Sequence, residues 1–99
     1  MTSLNVDSLK GKLETLKPEV ADKFKVKTIG IFGSYVRGEQ KESSDLDVLV
    51  DFYEPISLFK FVELEDFLSK RLGVKVDLVM RDSLKPRIRE SILNEAIYV

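Results

Sequence analysis

The chain has no cysteine and no histidine. The first absence excludes disulfides, a thiolate nucleophile and thiolate-bound zinc. The second excludes a Ser-His-Asp triad, a histidine base and imidazole metal ligands. Acid–base or metal chemistry must therefore use carboxylates, lysine, tyrosine or water. No apolar run approaches the ~20 residues of a membrane span. Residues Met1 to Asp7 lack the basic and apolar segments of a secretory signal, so a cytoplasmic protein is expected. There is no excess of positive charge either. Sixteen lysines and arginines face 17 acids, for a net charge of −1. That balance argues against holding duplex nucleic acid by bulk charge, and no direct nucleic-acid partner is expected.

What is present describes one folded unit. The 99 residues are 43% hydrophobic and 33% charged, without repeat, linker or low-complexity stretch. A single domain over residues 1–99 with one modest core is expected. Leu9, Leu13 and Leu16 predict a helix over 8–17 capped by Asp7 or Ser8. Pro18 should break it, or start a further turn through Val20 and Phe24. Residues 26–32 read as a strand, followed by a Gly33-Ser34 turn and a short helix near 35–38. Residues 45–52 read as a second strand. Ser57 caps a long helix closed by Gly73, with Leu58, Phe61, Leu64, Leu68 and Leu72 on one face. Residues 74–80 form the third strand, and Pro86 opens a last helix through Ala96. The order predicts an α/β fold, a small mixed sheet of about three strands backed by helices.

Charge is unevenly placed. Residues 41–54 carry five acids and one lysine, whereas residues 10–27 carry six lysines and three acids. Residues 81–90 carry four basic groups and two acids.

Asp45 and Asp47 are the strongest local signal. Alternate residues of a strand share a face, so the two carboxylates would lie together and repel. Leu46, Val48, Val50 and Phe52 make the opposite face apolar, which sets the strand against a core. A divalent cation such as Mg²⁺ would relieve the repulsion, although an exposed strand start would also tolerate it. Asp77 interrupts the apolar run of Val74, Val76, Leu78 and Val79. Buried there, it would need a partner or a metal, while at a sheet edge it would need neither. On a strand adjacent to Asp45 and Asp47 it could reach the same ions. Asp51 shares the parity of Asp45 and Asp47 but lies further along and is peripheral.

Gly33-Ser34 directly follows the first strand. Glycine permits a sharp turn and a close approach of phosphate. The N–H groups of a following helix favour an anion, to which the Ser34 hydroxyl could add a donor. Arg37 is equally a phosphate clamp or a surface residue. Together these elements offer a triphosphate cradle and a three-carboxylate site for two metals, the equipment of nucleotidyl transfer.

Gly33-Ser34, ten intervening residues and then Asp45-Leu-Asp47 resembles the signature of the polymerase-beta-like nucleotidyltransferase superfamily. The segments Phe32-Gly-Ser-Tyr-Val-Arg-Gly38 and Ser44-Asp-Leu-Asp-Val-Leu-Val50 are similar to its minimal nucleotidyltransferase branch, the MntA-like antitoxins. The resemblance implies that Gly33 and Ser34 hold nucleotide phosphates. It implies that Asp45 and Asp47 bind two Mg²⁺ ions, with Asp77 completing the site and helping to activate the attacking hydroxyl. It further implies ATP as substrate and a HEPN-domain RNase toxin as partner, neutralised by transfer of AMP to a tyrosine. Val36 stands where many relatives carry a smaller residue, which bears on the pose of Arg37. Two other functions are open to the same chain. One is a non-enzymatic antitoxin that blocks its partner sterically. The other is transfer to a small molecule or to RNA. Arg87 and Arg89 mark a candidate docking surface, and Tyr35 and Tyr53 are the aromatics nearest the motif.

Overall fold

A computed structural model describes residues 5–99. The expectation about the start of the chain falls partly on residues 1–4, outside the described residues. Helix α1 spans Val6–Phe24, and its cap is Asn5, whose Oδ1 accepts the Ser8 N–H at 2.8 Å. The cap thus lies two residues before the expected Asp7. Pro18 does not break the helix. Val20 and Phe24, beyond the proline, are as buried as Leu9 and Leu13 before it. Burying two such side chains is worth about 2 kcal/mol each. An internal proline costs about 3 kcal/mol. Core burial therefore carries the helix through.

Strand β1 (Val26–Phe32) leads into α2 (Ser34–Arg37). Strand β2 (Leu46–Phe52) follows, then α3 (Leu58–Leu72) and β3 (Val76–Met80). Ser57 caps α3 by accepting the Lys60 N–H, and Gly73 ends it in the left-handed conformation, both as expected. A short 3₁₀ turn, Arg81–Ser83, precedes α4 (Pro86–Glu95) and β4 (Ile97–Tyr98).

The sheet order is β3-β2-β1-β4. Strand β1 is antiparallel to β2 and β4, and β2 is parallel to β3, so the sheet is mixed. The parallel pair is joined across the sheet by α3, the crossover that parallel strands require. The fourth strand is a departure from the expected three. Helix α4 stops at Glu95 because the next residues pair with β1, with Gly30 opposite Tyr98. A side chain on Gly30 would meet the Ile97 carbonyl oxygen at 2.8 Å, so the bare glycine is what admits β4.

Two layers cover the sheet. Ile29, Ile31, Leu46, Val48 and Val50 face α1 and α3, against Leu9, Leu13, Leu64, Leu68 and Leu72. Phe32 and Leu49 face the other way, under Leu84, Ile92 and Leu93 of the C-terminal segment. Strand β2 is thus covered on both faces, and Val48, Leu49 and Val50 are all buried.

Strand β3 is the sheet edge, two residues shorter than the expected 74–80. Its outer N–H groups are not left bare. Ser69 Oγ accepts the Val76 N–H and Glu65 Oε2 accepts the Leu78 N–H, both at 2.9 Å. Side chains of α3 therefore do the work of a missing fifth strand and hold β3, with Asp77 between the two anchors, in register. Among the described residues no helix is long and apolar enough to cross a membrane.

Candidate active site

The site lies where β1 ends and β2 begins. Gly33 has φ 84° and ψ −153°, a conformation that L side chains rarely adopt. A Cβ there would collide with the Asp47 carboxylate, so the corner is packed directly against that acid. Ser34 opens α2. Within this single turn Tyr35 is buried and Val36 packs against the core, which leaves Arg37 half exposed at the surface. Val36 thus serves as an anchor for the turn that carries Arg37.

Asp45 directly precedes β2, and Asp47 is its second residue. In register, Asp47 stands opposite Phe32 on one side and Asp77 on the other. Equivalent residues of neighbouring strands share a face and lie about 4.8 Å apart. The adjacency inferred for Asp77 is therefore present. Of the two settings open to it, the sheet edge is the one found: β3 is an edge strand and Asp77 is exposed. Asp47 is the electrostatic centre. Burial first, then the charges of Asp77 and Asp45, push its carboxyl up to about 6, against the opposing charge of Arg37. Among the described residues no three acidic side chains converge into a ready-made cation cage. The donor set nonetheless fits Mg²⁺ in kind. It consists of carboxylate oxygens whose mutual repulsion a dication would relieve.

A further carboxylate belongs to the corner. Glu95, the last residue of α4, accepts the Gly33 N–H through Oε2 and the Arg37 guanidinium through Oε1, each at 2.8 Å. Arg37 also donates to Glu39 at 2.9 Å, and the two acids together hold it firmly protonated. Burial works against the charge on Glu95, but the Gly33 N–H and Arg37 more than offset it and hold its carboxyl below the usual glutamate range. The sequence reading did not single out Glu95. One signal was available: a carboxylate in the last turn of a helix opposes the helix dipole and needs donors from elsewhere.

The model of the nucleotidyltransferase domain family matches residues 13–99. Protein adenylyltransferase MntA of Thermococcus cleftensis is 50% identical over the full length of both chains. The chain belongs to the nucleotidyltransferase domain family. A solved structure with a provisional minimal-nucleotidyltransferase name superposes with a TM-score of 0.80 at 36% identity, covering 98% of each chain. A toxin–antitoxin structure with AMP-PNP superposes with a TM-score of 0.73 at 27% identity, covering 90% of this chain and 70% of that one.

Within this nucleotidyltransferase several sequence candidates fall away from the corner. Tyr35 is part of the core, and Tyr53 lies beyond the far end of β2. At about 3.3 Å per residue Tyr53 is ~20 Å from Asp47. Neither stands ready to stack on a base. Asp51 accepts the N–H of Phe52 at 3.0 Å and stays peripheral. Arg87 is exposed and Arg89 half-buried on α4. The candidate site is thus a carboxylate row on β2 and β3, faced by a glycine corner and an arginine that Glu95 ties together.

Proposed function

We propose that this nucleotidyltransferase is a Mg²⁺-dependent protein adenylyltransferase. It acts as an antitoxin, transferring AMP from ATP to a tyrosine hydroxyl of a HEPN-type RNase toxin, with residues 1–99 as one catalytic unit. The observation that carries the reading is the contact of Gly33 with Asp47, beside Asp77 in register. It places a turn suited to phosphate against carboxylates suited to metal. Support comes from the motif resemblance, from the name of the Thermococcus relative and from the AMP-PNP toxin–antitoxin structure.

In this reading Ser34 and Arg37 bind the triphosphate, and Gly33 allows its close approach. Asp45, Asp47 and Asp77 would hold two Mg²⁺ ions, which when bound neutralise charge on the triphosphate and the carboxylates. Asp77, the most exposed of the three, draws the proton from the acceptor hydroxyl. The hydroxyl oxygen forms a bond to the α-phosphorus. The bond from that phosphorus to the α–β bridging oxygen breaks, and pyrophosphate leaves with the electron pair. Histidine is unnecessary because positioning and charge neutralisation supply most of the rate.

Incubation with the partner toxin and α-labelled ATP tests the reading. Label is expected on the toxin and is expected to vanish with Asp45→Ala/Asp47→Ala. Transfer that survives the double substitution rules out the mechanism. An unlabelled but still inhibited toxin would indicate steric neutralisation, and a labelled small molecule or RNA would indicate a different acceptor.

A further inference from the structure

Glu95 occupies an unfavourable place for a carboxylate, the C-terminal turn of a helix, and bridges residues 62 and 58 positions away. Both of its contacts are at the candidate site, and its side chain is only 21% exposed. A surface ion pair would not need this arrangement. One oxygen holds the backbone N–H of Gly33, whose unusual φ and ψ set the corner against Asp47. The other holds Nη1 of Arg37. Glu39 takes Nε of the same guanidinium, so two of its three nitrogens are tethered, while Nη2 carries two further donors.

We propose that Glu95 is a positioning residue for nucleotide binding, fixing the Gly33 corner and the Arg37 guanidinium in the poses that a triphosphate meets. The inference rests on the reading of this site as an ATP site. It changes the part given to Gly33. Its N–H is committed to Glu95, so glycine contributes shape and close approach rather than a phosphate donor. It also explains why α4 ends where it does: Glu95 is anchored at the corner, and the next residues turn away to pair with β1.

The test is calorimetric titration of ATP with millimolar Mg²⁺ into the full chain without partner, with unfolding midpoints measured in parallel. Glu95→Ala is expected to weaken ATP binding by about tenfold. Glu95→Gln keeps an acceptor for Gly33 but loses the charge facing Arg37, and is expected to weaken binding by about threefold. It also guards against a misfolded alanine variant. In an Arg37→Ala background, Glu95→Ala is expected to add about twofold or less, since the two residues act as a unit. A lowered midpoint with unchanged affinity would overturn the proposal, leaving Glu95 a structural role. Tighter binding in Glu95→Ala would overturn it too, making Glu95 a competitor of phosphate. Full additivity with Arg37→Ala would do the same. These measurements need no acceptor. The expected losses without AMP transfer uphold the role of Glu95 and defeat only the transfer reading, whereas no ATP binding by the unsubstituted chain defeats both.

Discussion

Asp47 is a carboxylate whose ionisation the protein resists, chiefly through burial and then through Asp77 and Asp45, which hold it near 6. Because its folded value lies above the ordinary one, the stability linked to Asp47 is complete at acid pH. It is lost as pH rises through about 6. Asp47→Asn is therefore expected to raise the unfolding midpoint at pH 7 in chelator. The gain is about 1 kcal/mol once solvent screening is discounted, and it disappears at pH 4. Urea unfolding at both pH values checks this, and an equal effect at both would show that charge is not the cause. Gly33→Ala is expected to lose about 2 kcal/mol of stability or more, with loss of ATP binding, because of its φ of 84° and the collision with Asp47. At this scale the motif was legible: Gly33, Ser34, Asp45 and Asp47 lie close in sequence and their chemistry shows in residue type. Glu95 was not, because its place in the last turn of α4 marks a carboxylate in need of donors but not that Gly33 and Arg37 supply them once α4 has docked.

The elements owe their boundaries to burial more than to propensity. Helix α1 runs through Pro18 because Val20 and Phe24 reach the same core as Leu9 and Leu13. The alternating and helical apolar spacings made β1, β2, α3 and α4 legible to within a residue, whereas β3 is two residues shorter than expected and α1 runs seven residues past the expected end at 17. The short helix after Gly33-Ser34 was only weakly marked. Edge position was left open. The neighbours of Asp77 suit a buried strand and its charge suits an edge, and that β3 is the edge follows only from which strand β2 accepts. Glu65→Ala is expected to destabilise the chain by about 1–2 kcal/mol by leaving the Leu78 N–H unpaired. Phe59→Ser, on the same helix but 88% exposed, should stay within about 0.5 kcal/mol. Equal losses for the two in urea unfolding would refute the edge-anchoring role of Glu65.

As a whole the molecule is close to neutral, but its charge is unevenly placed. Asp45, Asp47 and Asp77 gather at the start of β2 and on the edge strand, whereas α1 balances four lysines with four acids. Ligands that resolve the acidic cluster should therefore stabilise the entire fold. ATP with Mg²⁺ at about a hundred times its Kd would contribute about 2.7 kcal/mol. For a chain of this size that is a rise on the order of 10 °C in the midpoint. Asp45→Ala/Asp47→Ala and added chelator are each expected to remove the rise in thermal melts. No shift in the unsubstituted chain would count against a site able to bind both.

Periodicity, caps and the run from Gly33 to Asp47 established the α/β class, most element limits and the kind of chemistry, since each depends on residues near one another along the chain. Packing alone settled that Asp77 stands level with Asp47, that Gly30 makes room for a fourth strand, and that Glu95 closes the corner. Contacts between distant segments form only where apolar faces find cover together, and that choice belongs to the folded surfaces rather than to any local stretch of residues.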